Sequence, residues 1–185
     1  MAAAMPLVED IEKIPGIFAS RHGDTPLSLS LLQGIARGDP MSPTSFSLAV
    51  HNAVGGLFSI VRKDTSAVTA IAAMDGLVLQ TLFEAIGQLQ QCDRLLCVIY
   101  DIPLPEFYQA HNDQPEQPFP YAVAMVLGNE QGEPVRLEPA PAQGAAGNEP
   151  LNFAAYGLLS LLSGVNDRVT LPRQQASWQL SRIFD

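Results

Sequence analysis

The sequence predicts an α/β fold, a mixed sheet built around a buried central helix, and three observations carry that prediction. The first is the stretch 66–91, SAVTAIAAMDGLVLQTLFEAIGQLQQ. Its opening part, 66–73, is small and β-branched and suits a buried strand. Asp75-Gly76 breaks it. In the helical run that follows, Leu77, Val78, Leu79, Leu82, Phe83, Ala85, Ile86 and Leu89 cover most of the circumference. A helix that is apolar nearly all round is buried. Each large side chain so buried is worth about 1.5–3 kcal/mol, so this strand and helix are expected to centre the core. The second is Leu95-Leu96-Cys97-Val98-Ile99-Tyr100, an unbroken apolar run of the kind found in sheets covered on both faces. The third is the alternation of strand-like and helix-like segments along the chain.

Each remaining element has its own signal. Residues 1–14 have helical spacing at Met5, Val8 and Ile11, with Pro6 allowed near a first turn. Residues 17–20 read as a short strand. Thr25 is expected to cap a helix with Pro26 at its first position, an apolar face of Leu29, Leu32, Ile35 and Ala36, and Gly38 as its stop. Ser42-Pro43 opens another helix through Phe46, Leu48, Ala49 and Val50. Gly55-Gly56 lets the backbone pass close to a neighbour. Residues 57–61 continue as helix or as a short extended piece, and 62–65 make a polar turn. Residues 121–127 read as a strand, 129–132 as a turn, and 135–137 as the partner strand returning. The segments 112–120 and 139–150 are loops. Residues 151–162 form a helix whose shared face is Phe153, Tyr156, Leu159 and Leu162, stopped by Gly164. Residues 169–171 and 178–183 close the sheet. No internal repeat is present, and 185 residues fit one domain, 1–185.

Composition excludes several functions. The net charge is −9 with no basic cluster, which argues against nucleic acid, an anionic membrane surface and direct docking of an acidic carrier protein. No apolar run reaches the ~20 residues needed to span a bilayer. The N-terminus lacks the basic start and apolar centre of a signal peptide. Cys92 and Cys97 read as reduced core residues of a cytoplasmic protein. Charged residues make up only 16 %, which suggests apolar surface covered by a partner.

The chain resembles the N-terminal half of a β-ketoacyl synthase. More narrowly, it is similar to the synthase-like N-terminal domain proteins of aryl polyene and related acyl clusters. The residues that carry the resemblance are Ala19-Ser20-Arg21-His22-Gly23, then Ser42-Pro43-Thr44-Ser45-Phe46-Ser47 leading into Val50-His51-Asn52-Ala53. Tyr100-Asp101 before Pro103-Leu104-Pro105 completes them. The likeness runs from about residue 17 to the C-terminus. It implies half of a thiolase-like, five-layer-type fold. It also places Ala73 where an active synthase carries its nucleophilic Cys. A methyl group cannot form a thioester, which requires a thiolate. The family's decarboxylating histidines lie in a second half of the fold, beyond where this chain stops, so the expectation is a catalytically inactive, chain-length-factor-like subunit. Chain-length factors with Gln at that position support arguments for decarboxylation that do not carry over to Ala73.

The resemblance further implies a heterodimer with a full-length β-ketoacyl synthase, whose acyl tunnel this chain helps to wall. The strand holding Ser66, Val68, Thr69, Ala70, Ile71 and Ala72 is the expected interface. Left open, it would be an aggregation edge. The partner, not this acidic chain, would dock the acyl carrier protein. The family also has a strand and more helix upstream of the position of Met1, so the chain is expected to be shortened or numbered from inside the fold.

The polar residues admit other readings. His51 with Asn52 could orient a substrate carbonyl or act as a base; capping a helix and satisfying buried backbone is the simpler role. Arg21 and His22 with Asp24 could bind an anion or form a helix-start hydrogen-bond cluster. Asp101 sits where α/β enzymes keep carboxylates, but is read as a turn acceptor. His111 falls in a polar loop. No histidine spacing suits a metal, no phosphate loop is present and no cofactor is expected. A stand-alone hydrolase using His51 or His22 with Asp101, and a homodimeric acyl-binding module, remain as alternatives.

Overall fold

The structure is a computed structural model that describes residues 1–109, 119–141, 153–172 and 177–184. The described residues form two sheets. The larger has the order β2-β1-β3-β4, from β1 (Gly16–Ser20), β2 (Val68–Ala72), β3 (Arg94–Asp101) and β4 (Tyr121–Gly128). β1 runs parallel to β2 and to β3, and β4 is antiparallel to β3. The smaller sheet has the order β5-β7-β6, all antiparallel, from β5 (Val135–Ala140), β6 (Arg168–Pro172) and β7 (Ser177–Arg182).

The two-residue side-chain period divides the core cleanly. Ile17 and Ala19 of β1, with Leu95, Cys97 and Ile99 of β3, face helix α4 (Leu77–Gln88). The short α5 (Glu106–Gln109) follows β3. Beyond α4 lie α6 (Phe153–Leu162) and the smaller sheet, which add Leu158, Leu161, Val169, Leu171 and Leu180 to the same cluster. Trp178 of β7 meets Phe83 of α4 edge-on, with ring centroids 4.9 Å apart. The alternate residues Phe18, Leu96 and Val98 face the other way, onto Val8, Ile14 and Phe58. That second layer is made by the N-terminal segment and α3 (Ala53–Arg62). β3 is thus covered on both faces, as its apolar run predicts.

Several expectations are corrected. The stretch 66–73 is not a buried central strand. β2 spans Val68–Ala72 at the sheet edge, with Val68, Ala70 and Ala72 exposed and Thr69 and Ile71 half-buried. Small side chains reach few neighbours, and among the described strands β2 pairs with β1 alone, so the core centres on β1, β3 and α4. Asp24, not Thr25, caps α1 (Thr25–Arg37), its carboxylate accepting from the Leu27 amide at 3.0 Å. No α1 residue is buried; Leu32 and Ile35 face outward. Residues 57–61 are helix, continuous with α3. Residues 1–14 hold only one 3-10 turn, Met5–Val8. β5 returns not to β4 but to β7 in the second sheet. On α6 the expected face is inverted: Ala155, Leu158 and Leu161 are buried while Tyr156, Leu159 and Leu162 are exposed. Residues 151–152 of that expected helix, His111 and most of the two expected loops lie outside the described residues.

Two glycines are required by close approach. A Cβ on Gly55 would lie 2.5 Å from Val68 Cγ1, so the close seating of α3 against β2 requires glycine there, whereas Gly56 faces open space. Gly157 lets α6 approach Val169 in the same way, at 2.6 Å. A clasp joins α3 to the N-terminal segment. Arg62 donates to the carbonyls of Val8 (2.8 Å) and Ile11, and the buried Asp64 accepts from the Ile14 and Ser66 amides, each at 2.9 Å.

Candidate functional site

The parallel strands β1, β2 and β3 end at one edge of the sheet, where open α/β sheets place their ligands. The polar residues singled out from sequence collect there. Register explains the first contact. Ala19 pairs with Ile99, so two residues further on Arg21 stands beside Asp101. Their side chains form an ion pair from Arg21 Nε to Asp101 Oδ2, with the residues 6 % and 1 % exposed. Asp101 is therefore an ion-pair partner rather than a turn acceptor. Asp24, the other carboxylate grouped with Arg21 in the sequence, caps α1.

His51 lies in the turn between α2 (Pro43–Ala49) and α3. Its Nε2–H donates to the Ile71 carbonyl at 2.7 Å. Its other ring nitrogen lies 3.1 Å from where a Cβ on Gly23 would stand. Gly23 has φ +65°, and its amide donates to Ser20 Oγ at 2.8 Å. His51 thereby ties the α2–α3 turn to the ends of β1 and β2. Asn52 occupies the first cap position of α3 without a side-chain cap bond. His22 is half-buried beside the same turn.

The corner between β2 and α4 is Ala72-Ala73-Met74-Asp75-Gly76. Ala73 is half-buried, and Gly76 adopts φ +67° to turn the chain into α4. No thiol or hydroxyl stands at this corner. Three titrating groups on β3 and β4 are shifted upward. Burial first, then the Asp101 charge, raise the Tyr121 hydroxyl to about 12 against the opposing pull of Arg21. Burial also raises Tyr100, as do Asp101 and Asp24, over the lowering hydrogen bond with Ser20. Burial pushes the Cys97 thiol up to about 12, and both cysteines are free. An open cleft of about 370 Å³ lies at this edge, lined by Val98, Tyr100, Ile102 and Tyr121 among others. Among the described residues no group of histidine, cysteine and carboxylate ligands could hold a metal. No single described helix is long and apolar enough to cross a membrane.

The expected interface residues occupy an open edge. The Gly16 amide donates to the Ala67 carbonyl at 2.9 Å. Strand alternation then turns the amides of Thr69 and Ile71 toward β1 and leaves those of Val68, Ala70 and Ala72 facing outward. Sequence reasoning missed the Asp64 clasp, because a 62–65 turn of mixed charge has the composition of any solvated loop. It also missed Tyr121 as the neighbour of the ion pair, which only the β3–β4 register reveals.

The sequence profile described as "Beta-ketoacyl synthase, N-terminal domain" matches residues 1–179, an earlier start than the likeness read from residue 17. No curated protein sequence matches the chain. Among solved structures, a chain of the complex of the ketosynthase ApeO with its chain length factor ApeC, from Xenorhabdus doucetiae, is similar. The TM-score is 0.80 at 25 % identity, over 96 % of this chain and 73 % of that one. The mixed sheet with its buried α4 thus has the fold of a thiolase-like ketosynthase half.

Proposed function

This chain belongs to the β-ketoacyl synthase N-terminal domain family, and on that premise we propose that it is a non-catalytic, chain-length-factor-like subunit. It pairs with a full-length β-ketoacyl synthase and helps to shape that partner's acyl tunnel, in cytoplasmic aryl polyene or fatty-acyl-type biosynthesis. The observation that carries the reading is Ala73. The corner that leads into α4 is built as a nucleophile corner is built, with a strand end, a left-handed Gly76 and a buried helix, yet it presents a methyl group. Condensation begins with a thiolate attacking an acyl carbon, and here that attack has no atom to start from. The kinship with a ketosynthase–chain length factor complex supports the choice of partner. The β2 edge supplies a place for it, with amides and carbonyls at Val68, Ala70 and Ala72 that pair with no described strand. Arg21, Asp101, His51 and Ile71 then serve as the frame that holds this edge in shape. The synthase, with its own surface, meets the acyl carrier protein.

The test is co-expression with a full-length β-ketoacyl synthase from the same organism. The two are expected to co-purify, and the synthase to need this chain for normal product length. Purified alone and offered an acyl thioester, this chain is expected to keep its mass. Covalent acyl uptake, or a synthase that ignores this chain and condenses normally, sinks the proposal.

A further inference from the structure

Between Asp39 and Arg62 the sequence carries no Asp, Glu, Lys or Arg. That segment folds as α2 and α3, which meet at a 104° bend on the surface. Seven of its apolar side chains stand exposed: Met41 just before α2, Phe46, Leu48 and Val50 at α2, and Leu57, Ile60 and Val61 on α3. On α3 they fall at i, i+3 and i+4, apart from the buried Gly55 and Phe58 that pack on the sheet. Ile60 is 73 % exposed. A solvated helix face normally carries charge. Surfaces that become the core of an interface are the ones depleted of it and rich in large apolar groups.

Area argues for the same conclusion. β2 has five residues, so at about 3.3 Å each it is roughly 17 Å long, and one added strand covers on the order of 200 Å² of it. A stable complex needs about 800 Å² from each partner. A chain that pairs with β2 must therefore rest on more of this surface. The charge-free helices begin at that strand, for Gly55 packs on Val68, whose side chain is exposed on the same face of β2.

We infer that α2 and α3 form the body of the docking surface for the synthase that pairs with β2, with Ile60 and Phe46 as its anchors. The inference rests on the proposed function and adds the residues that carry the affinity. Charge distinguishes a protein partner from a bilayer. Interfacial membrane helices set Lys and Arg beside their apolar face. α2 has none; at α3, Arg62 is engaged by the Val8 and Ile11 carbonyls, which leaves Lys63 at the C-cap as the single exposed cation beside this face.

Ile60→Asp and Phe46→Asp, made separately, test this against the full-length synthase, with Val135→Asp on β5 as the control. Both anchors are exposed, so the isolated variants are expected to melt with the wild type; should Ile60→Asp melt early, Val61→Asn takes its place. The expected result is a Kd raised at least tenfold by each helix variant and unchanged by the control. A wild-type complex whose Kd neither helix variant alters overturns this inference and leaves the proposed function standing. A wild-type chain that does not bind the synthase overturns the proposed function and this inference together. Self-association of the isolated chain that Ile60→Asp abolishes replaces the synthase by a second copy. Flotation with phosphatidylcholine–phosphatidylglycerol vesicles that Ile60→Asp abolishes replaces it by a membrane. Either result overturns the inference.

Discussion

Ala70→Pro separates the two edges of β2. The Ala70 amide faces outward, so the ladder to β1 does not use it. Proline is tolerated on an edge strand when the missing N–H faced solvent. The isolated variant is therefore expected to unfold within about 1 kcal/mol of the wild type, since no ladder bond is lost. The complex is another matter. Ala70 is the middle of three outward residues, so its loss removes one net hydrogen bond, worth about 0.5–1.5 kcal/mol. The ring also holds a partner strand away from Val68 and Ala72, which puts up to three such bonds at risk. A total of about 2 kcal/mol corresponds to a roughly thirty-fold rise in Kd. Binding to immobilised synthase measures the second effect, and urea unfolding followed by circular dichroism measures the first. Ile71→Pro is the internal control. Its amide faces β1, so that variant is expected to unfold on its own. A well-folded Ala70→Pro that binds with unchanged Kd refutes the edge as the contact. A collapsed Ala70→Pro refutes the assignment of which amides face outward.

Two further substitutions probe the frame. Asp64→Asn replaces a buried carboxylate, 4 % exposed, that accepts two backbone amides. Losing two charge-assisted bonds is expected to cost about 3 kcal/mol, or roughly 6–12 °C in Tm for a chain of this size. Burial alone would raise the Asp64 carboxyl, but bonding to Ser66 and Ile14 and the Arg62 charge outweigh it and hold the group below its ordinary value. Its stabilisation is therefore complete above the unfolded pKa of about 4 and is lost as pH falls through the lower folded value. Melting curves of the two proteins should converge in acid; equal Tm at neutral pH contradicts the clasp. Arg21→Ala leaves Asp101 charged and buried, and is expected to cost about 3–5 kcal/mol in urea unfolding. A variant as stable as wild type means the pair contributes nothing to holding β1 beside β3.

What the sequence shows and what it hides follow from the range of the forces involved. β3 is legible because an apolar run needs no register to be recognised; α4 is legible as the core helix, but not as one buried on all sides, since Leu77, Val78, Leu79, Leu82 and Ala85 are buried while Ile86 is 49 % exposed. The Ala72–Gly76 corner is legible because a missing sulfur is visible in one dimension. β2 misleads because small, β-branched residues suit an interior strand and a partnered edge equally. Its exposure here is a property of neighbours, not of its own residues. α6 misleads for a related reason. With apolar groups all round, its buried face is chosen by where Gly157 permits Val169 to approach. The Arg21–Asp101 pair spans 80 residues, and only the β1–β3 register brings the two together. Capping was displaced by one residue because Asp24 and Thr25 are both competent caps and adjoin. The charge-free run from Asp39 to Arg62 was open to inspection throughout, yet its meaning depends on knowing that the helices it forms lie on the surface.

The edge-on contact of Trp178 with Phe83 has a practical consequence, because it is the only indole in the chain. Emission from that ring reports the seating of the three-stranded layer on the central helix, while far-ultraviolet dichroism reports the whole backbone. A denaturation followed by both signals reads out, without any label, whether the two sheets come apart together or one after the other.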